Sequence, residues 1–277
     1  MAHLVTDAAQ QEMAIVDGVL MPAVEATIPI TDEGFLRGDS VFDAFRVYGG
    51  QPFGVAEHLA RLGRSAAGMR LDGVDFAAIE REIGELIAAR GADEDYGLRV
   101  VCTRGGRRIL ITESVKVFPP SIGLASVNYR PNIVLDGLKT LSYGGNVQAN
   151  RLAKEKGFDE ALLVTPEGHV LEGPTAAIFW SPDGEQLVTP PLDVGILDSI
   201  TRTVLIDSLA VEVRPTTLEE VLAAKEAFLC SSVREVQPID RIDDHEMAVP
   251  GPRTSAAKQA LDGAVQARLA GAAANNV

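Results

Sequence analysis

A chain of 277 residues with 46% apolar side chains can bury a sizeable core as one large or two smaller domains. Its 25 basic residues against 39 acidic ones leave a net charge of −14, which repels phosphate backbones and anionic lipid and so argues against nucleic-acid and membrane-surface partners. Apolar runs such as residues 109–111 and 161–164 are far shorter than the ~20 residues that cross a bilayer. The first residues, with Asp7 and Glu12 among polar neighbours, lack the basic-then-apolar order of a secretory leader, so a soluble, cytoplasmic protein is expected. Cys102 and Cys230 are too few for a disulfide framework, and no Cys/His spacing matches a metal site. Both thiols read as small packed apolar groups.

In chain order, residues 14–16, the pair Asp17-Gly18 and residues 19–21 read as a hairpin that opens an antiparallel sheet. Residues 41–48, rich in β-branched and aromatic side chains and ended by Gly49-Gly50, read as a strand. Period two places Phe42, Ala44, Arg46 and Tyr48 on one face of it. Helical spacing follows: Leu59, Leu62, Ala66 and Met69 share one face, and Phe76, Ile79, Ile83, Leu86 and Ile87 share another. These two helices are expected to cover the sheet. Strands at 98–103 and 109–118 flank the loop Arg104-Gly105-Gly106-Arg107-Arg108, and Pro119-Pro120 marks a boundary. An N-terminal α/β domain over 1–119 and a C-terminal domain over 120–277 result.

Beyond that boundary, residues 122–129 read as strand, 147–156 as helix and 160–165 as strand, with the turn Pro166-Glu167-Gly168 leading into Val170-Leu171. Residues 175–180 form another strand before the turn Pro182-Asp183-Gly184. A helix over 200–210 has Ser199 placed to cap it. A short helix at 218–224, a strand at 227–231 and a C-terminal helix from about 253 to 269 follow, with a frayed tail from Gly271. Overall the chain mixes α and β.

Several chemical signatures are absent: no P-loop, no dinucleotide fingerprint, no nucleophile-elbow serine, and no histidine pair at metal-ligand spacing among His3, His58, His169 and His245. Lysine is scarce. Of the six, Lys116, Lys154, Lys156, Lys225 and Lys258 sit on polar helix or strand surfaces and read as solvated charge. Lys139 lies between leucines in Leu138-Lys139-Thr140-Leu141 with no adjacent carboxylate, and partial desolvation disfavours the ammonium form, as a lysine that attacks a carbonyl requires. The same setting also suits a lysine snorkelling from a strand end.

Its companions decide between the two. Gly38-Asp39-Ser40-Val41-Phe42-Asp43, Glu57-His58-Leu59-Ala60-Arg61-Leu62, Leu138-Lys139-Thr140-Leu141, Phe158-Asp159-Glu160-Ala161-Leu162-Leu163 with residues 168–173, and Ile200-Thr201-Arg202 occur in one order. Together they resemble the class IV aminotransferases, the pyridoxal-phosphate enzymes that include branched-chain and D-amino-acid aminotransferases and aminodeoxychorismate lyase. The resemblance implies the two-domain fold type IV, with a smaller N-terminal α/β domain, a larger C-terminal β-barrel-like domain with helices, and the cofactor in the cleft. It also implies a homodimer.

By the same resemblance, Lys139 forms the Schiff base with pyridoxal 5'-phosphate and shuttles the proton, a role such a cofactor demands of its lysine. Glu172 pairs with the pyridine nitrogen, whereas Glu167 fits a surface turn. Arg61 binds the phosphate, for which a planar fork of donors is suited, and Ile200 and Thr201 at a helix start add amides and a hydroxyl. Ser199 stands where the family usually has glycine. Ser232 falls where relatives place a hydroxyl near the phosphate, although Val233-Arg234 departs from their small-residue pair. Phe42 and Arg46 lie on the face that looks toward substrate in relatives, and Arg46 is a candidate for a carboxylate, against the reading of a surface arginine on an edge strand. Arg107 and Arg108 resemble a basic loop that D-amino-acid enzymes use for the same purpose, and Tyr143 lies near a family tyrosine. The activity implied is amino transfer between a small amino acid and a 2-oxo acid. The alternative is aminodeoxychorismate lyase, in which threonine often replaces the acidic residue found here as Asp43.

Overall fold

A computed structural model describes residues 12–274, with side chains through Gly271; His3 and Asp7 lie outside that range. The chain forms two compact units, one of Met1–Lys116 with Leu138–Ser142, the other of Val117–Gly137 with Tyr143–Val277. The first unit therefore takes back five residues of chain after the second has begun.

In the first unit six strands pair antiparallel in the order β2-β1-β6-β5-β3-β4. They are β1 (Met13–Val16), β2 (Val19–Pro22), β3 (Ser40–Tyr48), β4 (Gln51–Pro52), β5 (Tyr96–Thr103) and β6 (Arg108–Ser114). Asp17 and Gly18 both have positive φ, 51° and 86°, the backbone that a two-residue hairpin loop matched to strand twist requires. Helix α1 (Glu33–Arg37), a single turn that the sequence reading lacked, starts at Asp32, whose side chain accepts from Gly34 N, and stops at Gly38 with φ 68°. Helices α2 (Val55–Gly68) and α3 (Phe76–Arg90) cover one face of the sheet. Val41, Phe45 and Val47 of β3 pack there with Leu62, Ile79, Leu86, Leu98 and Leu110. Asp75 caps α3 by accepting from Ala78 N.

The strand expected at 109–118 ends at Ser114. Ser114 pairs with Tyr96, the first residue of β5, so beyond it the ladder has no partner.

In the second unit the strands are β7 (Ile122–Asn128), β8 (Glu160–Val164), β9 (Ala177–Ser181), β10 (Leu187–Thr189), β11 (Val211–Val213), β12 (Glu226–Ser231), β13 (Glu235–Ile242) and β14 (His245–Glu246). Their order is β11-β10-β9-β12-β13-β7-β8, with β14 beside β13. The β7–β8, β7–β13 and β10–β11 pairs are parallel and the others antiparallel. Every residue of β8 and β9 is buried, as expected of apolar runs in a sheet covered on both faces. One face packs Ile122, Leu124, Leu162, Ile178, Trp180 and Leu229. On the other, Ala125, Ala161 and Leu163 meet Ala149 and Ala153 of helix α4 (Gly144–Glu155).

Helix α5 (Ile200–Ser208) is capped by Ser199, whose side chain accepts from Arg202 N. Helices α6 (Leu218–Leu222) and α7 (Pro252–Ala274) complete the unit. Helix α6 begins with a capping box between Thr217 and Glu220. Helix α7 continues past Gly271, where a frayed tail was expected. Among the described residues no helix is long and apolar enough to cross a membrane, and no group of three or more His, Cys, Asp or Glu side chains could hold a metal ion.

Candidate active site

Lys139 belongs to the five residues that return to the first unit. They run beside β3: Phe42 N donates to Lys139 O at 3.0 Å, Leu141 N to Ser40 O at 3.1 Å, and Val41 bridges Thr140. On the other side the Ser65 hydroxyl of α2 accepts from Lys139 N at 3.0 Å. Gly68 lets the segment lie close, since a Cβ there would stand 2.6 Å from Leu138. The lysine backbone is thus fixed by both a strand and a helix. Its side chain is half-buried, with Nζ 4.4 Å from the centroid of the Phe42 ring, close enough for a cation–π contact.

Arg61 lies on α2 in a buried cluster with His58, one turn earlier on the same helix face, and Asp43 of β3. Its Nε donates to Asp43 Oδ2 at 2.8 Å and its Nη2 to Oδ1 at 2.7 Å. Oδ1 also accepts from Ala44 N at 2.8 Å and lies 2.7 Å from His58 Nδ1. Asp43 and His58 have no exposure and Arg61 has 4%. Burial alone would push the Asp43 carboxyl up, but the hydrogen bonds and charges of Arg61 and His58 hold it well below the usual carboxylate range. His58 is pushed down, first by burial and further by the positive charges of Arg61 and Lys139, against the pull of Asp43. A neutral His58 donates from Nδ1 to Asp43; the longer 3.3 Å approach of Arg61 Nη2 to that nitrogen is then a contact between two donors.

The opposite face of the sheet carries Phe42 and Arg46. Arg46 Nη2 meets Asp95 Oδ2 at 3.0 Å, and its guanidinium lies 4.9 Å from the Tyr48 ring centroid. Arg99, paired in register with Ala44, places its guanidinium 4.9 Å from the Phe42 ring and makes a two-point ion pair with Glu113 at 2.6 and 2.9 Å. The sequence reading missed Arg99, although its register beside Ala44 follows once β3 and β5 are paired. Arg107 and Arg108 are not brought together with this group. Arg107 meets Asp17 at 2.6 Å and Asp32 at 3.3 Å, and Arg108 makes its shortest contact, 2.7 Å, with the buried Glu82 of α3.

The remaining candidates lie in the second unit. Glu172 is half-buried; its Oε1 accepts from Leu197 N at 3.1 Å, and its backbone O accepts from Leu163 N at 2.9 Å. Nearby, the Tyr129 hydroxyl is pushed up by burial and by the charges of Glu172 and Asp136. That hydroxyl donates to Asn146 Oδ1 at 3.3 Å, and Asn146 Nδ2 donates to Pro174 O at 2.8 Å. Glu167 is exposed in its turn and pairs with Arg130 at 2.9 Å. Tyr143 occupies the N-cap position of α4.

Ile200 and Thr201 are the first two residues of α5, and the Thr201 and Ser232 hydroxyls lie 3.5 Å apart. Ser232 sits in the turn between β12 and β13. In the same turn the Arg234 side chain is held by Glu160 at 2.5 Å and by the Phe118 ring at 5.0 Å. Arg202, next along α5, is buried and donates to Pro190 O at 2.7 Å, and burial lowers its pKa.

Residues 40–242 match the model of the amino-transferase class IV family. A D-alanine aminotransferase of Bacillus licheniformis is 28% identical, over 92% of this chain and 97% of its own. An aminodeoxychorismate lyase of Bacillus subtilis is 27% identical, over 90% of this chain and 93% of its own. Among solved structures, a fold IV transaminase from Curtobacterium pusillum superposes with a TM-score of 0.83 at 27% identity, covering 90% of this chain and 98% of that one. The chain belongs to the class IV aminotransferase family. It is therefore an enzyme of the pyridoxal-phosphate group that its motifs resemble.

The residues present suit that cofactor chemically. A buried guanidinium, two hydroxyls and first-turn amides of a nine-residue helix are each groups of the kind that bind phosphate. A half-buried carboxylate suits a protonated ring nitrogen, and a lysine amine suits an aldehyde carbon.

Proposed function

We propose that the protein is an aminotransferase that exchanges an amino group between a small amino acid and a 2-oxo acid, with Lys139 as its catalytic residue. The observation that carries this reading is the double anchoring of Lys139, by β3 and by Ser65, with its amine over the Phe42 ring. Pyridoxal phosphate, when bound, supplies the electron sink that lets a Cα proton leave. Lys139 holds the cofactor and its Nζ takes and returns that proton as general base and acid. Glu172 keeps the ring nitrogen protonated. Arg61, Thr201, Ser232 and the Ile200 and Thr201 amides hold the phosphate.

Phe42 walls the substrate side. Arg46 is the better candidate for the substrate carboxylate, because its partner Asp95 is 38% exposed in its side chain and such an ion pair is weak and easily exchanged. Arg107 and Arg108 are each held by a carboxylate only 2% exposed, Asp32 and Glu82. We place the enzyme in the cytoplasm, as a homodimer.

A second reading, aminodeoxychorismate lyase, is favoured by the likeness to the Bacillus subtilis enzyme of that name. Borohydride reduction of the holoenzyme followed by peptide mapping tests the shared step: the pyridoxyl label is expected on Lys139, and a label elsewhere overturns the assignment. Amino acids supplied with pyruvate or 2-oxoglutarate should then exchange amino groups. Release of pyruvate from aminodeoxychorismate without an amino acceptor would decide for the lyase.

A further inference from the structure

We propose that Asp43, supported by His58, is a positioning residue that fixes the Arg61 guanidinium in the orientation in which it grips the cofactor phosphate; this rests on the reading of Arg61 given above. Asp43 takes the Nε–Nη2 edge of the guanidinium fork with both of its oxygens, at 2.8 and 2.7 Å. A side-on grip of this kind sets the plane of the fork as well as its place.

Asp43 is itself immobile. It sits in the middle of β3, its Oδ1 accepts from Ala44 N, and His58 Nδ1 lies 2.7 Å away. The three groups are buried beside apolar side chains, with Val41 and Phe45 on either side of Asp43 along the strand face and Leu59 and Leu62 on the helix. A buried ion pair there contributes little that well-packed apolar side chains of equal volume would not, which favours a directional role over a stabilising one. With His58 neutral, the carboxylate and guanidinium charges cancel, so the cluster offers aimed donors more than net charge.

The vitamer without the phosphate makes the test selective. Cofactor-stripped, full-length protein is titrated with pyridoxal phosphate and separately with pyridoxal, for wild type, Asp43→Asn, Arg61→Lys and the double variant. Asp43→Asn is expected to weaken pyridoxal phosphate by roughly 10- to 100-fold, the range of a lost charged hydrogen bond, and to leave pyridoxal within about twofold. In the Arg61→Lys background the same change should add less than about threefold, because the two residues act as one. Equal weakening of both vitamers by Asp43→Asn, or of neither, while Arg61→Lys is selective, overturns the positioning role. If Arg61→Lys weakens both vitamers equally, or neither, the assignment of Arg61 fails instead. Should Asp43→Asn not fold, Asp43→Glu keeps the charge but shifts it by a methylene; an intermediate selective loss supports the proposal and an unselective or absent one overturns it.

Discussion

Arg61 in the first unit is a formal charge sunk between a strand and a helix and matched by Asp43, whereas Thr201 and Ser232 in the second are neutral hydroxyls at a helix start and a hairpin turn. Both sets suit an anion, yet they come to be there by different physics. The guanidinium needs a counter-charge because an isolated ion in an apolar layer is expensive. The hydroxyls need none, since helix-start amides and hydroxyl dipoles carry no net charge to desolvate. The first arrangement should therefore be strongly sensitive to truncation and to acid, and the second much less so.

The sharpest break comes from Lys139→Ala, which removes the proposed covalent and proton-transfer group together. Turnover should fall by at least about a thousandfold, read as kcat with saturating cofactor, while the far-ultraviolet dichroism stays that of wild type. Next, Arg61→Ala strands the Asp43 carboxylate in the core and should cost about 3–5 kcal/mol of stability in urea unfolding. A loss below about 1 kcal/mol would show that water or His58 replaces the arginine freely.

Acid offers a third way to separate the two units. The folded Asp43 carboxyl lies below its ordinary range, so its stabilising contribution is complete above about pH 4, the unfolded value, and is lost as pH falls through the folded value. The stability gap between wild type and Asp43→Asn should therefore persist from neutral pH down to about 4, widening where His58 gains the proton that Asp43 favours, and close in stronger acid. The smallest effect is expected from Thr201→Val, about 0.5–1.5 kcal/mol in cofactor binding, with no dependence on pH across the same range.

Much of this arrangement is legible in the sequence. Period two in VFDAFRVY and the spacing of Leu59, Leu62 and Ala66 define β3 and α2, and the same alternation puts Asp43 on the face of Val41, Phe45 and Val47. An acid on an apolar face implies a buried partner, and one helix turn separates His58 from Arg61, so the cluster has a local signature in the sequence. Strand β13 is harder to see, because Gln237, Pro238 and Asp240 interrupt the apolar run. It forms all the same: Pro238 opposes Phe228 of β12, and pairing with β7 starts only at Ile239, next to a register shift, so the missing N–H falls where that ladder has not begun. The separation of Arg107 from Arg108 depends on Asp32 and Glu82, which are 75 and 26 positions away, and long-range pairing of that kind has no local signature.

The five-residue return that carries Lys139 has an evolutionary consequence. A gene exchange at residue 116 or 117 would move the lysine codon with the second unit, although the backbone of Lys139 is hydrogen-bonded to Phe42 and Ser65 of the first, and that of Leu141 to Ser40. Such chimaeras inherit the amine from one parent and its seat from the other. Recombination between distant relatives should therefore be tolerated poorly at this junction, unless the strand edge and the serine are shared by both parents.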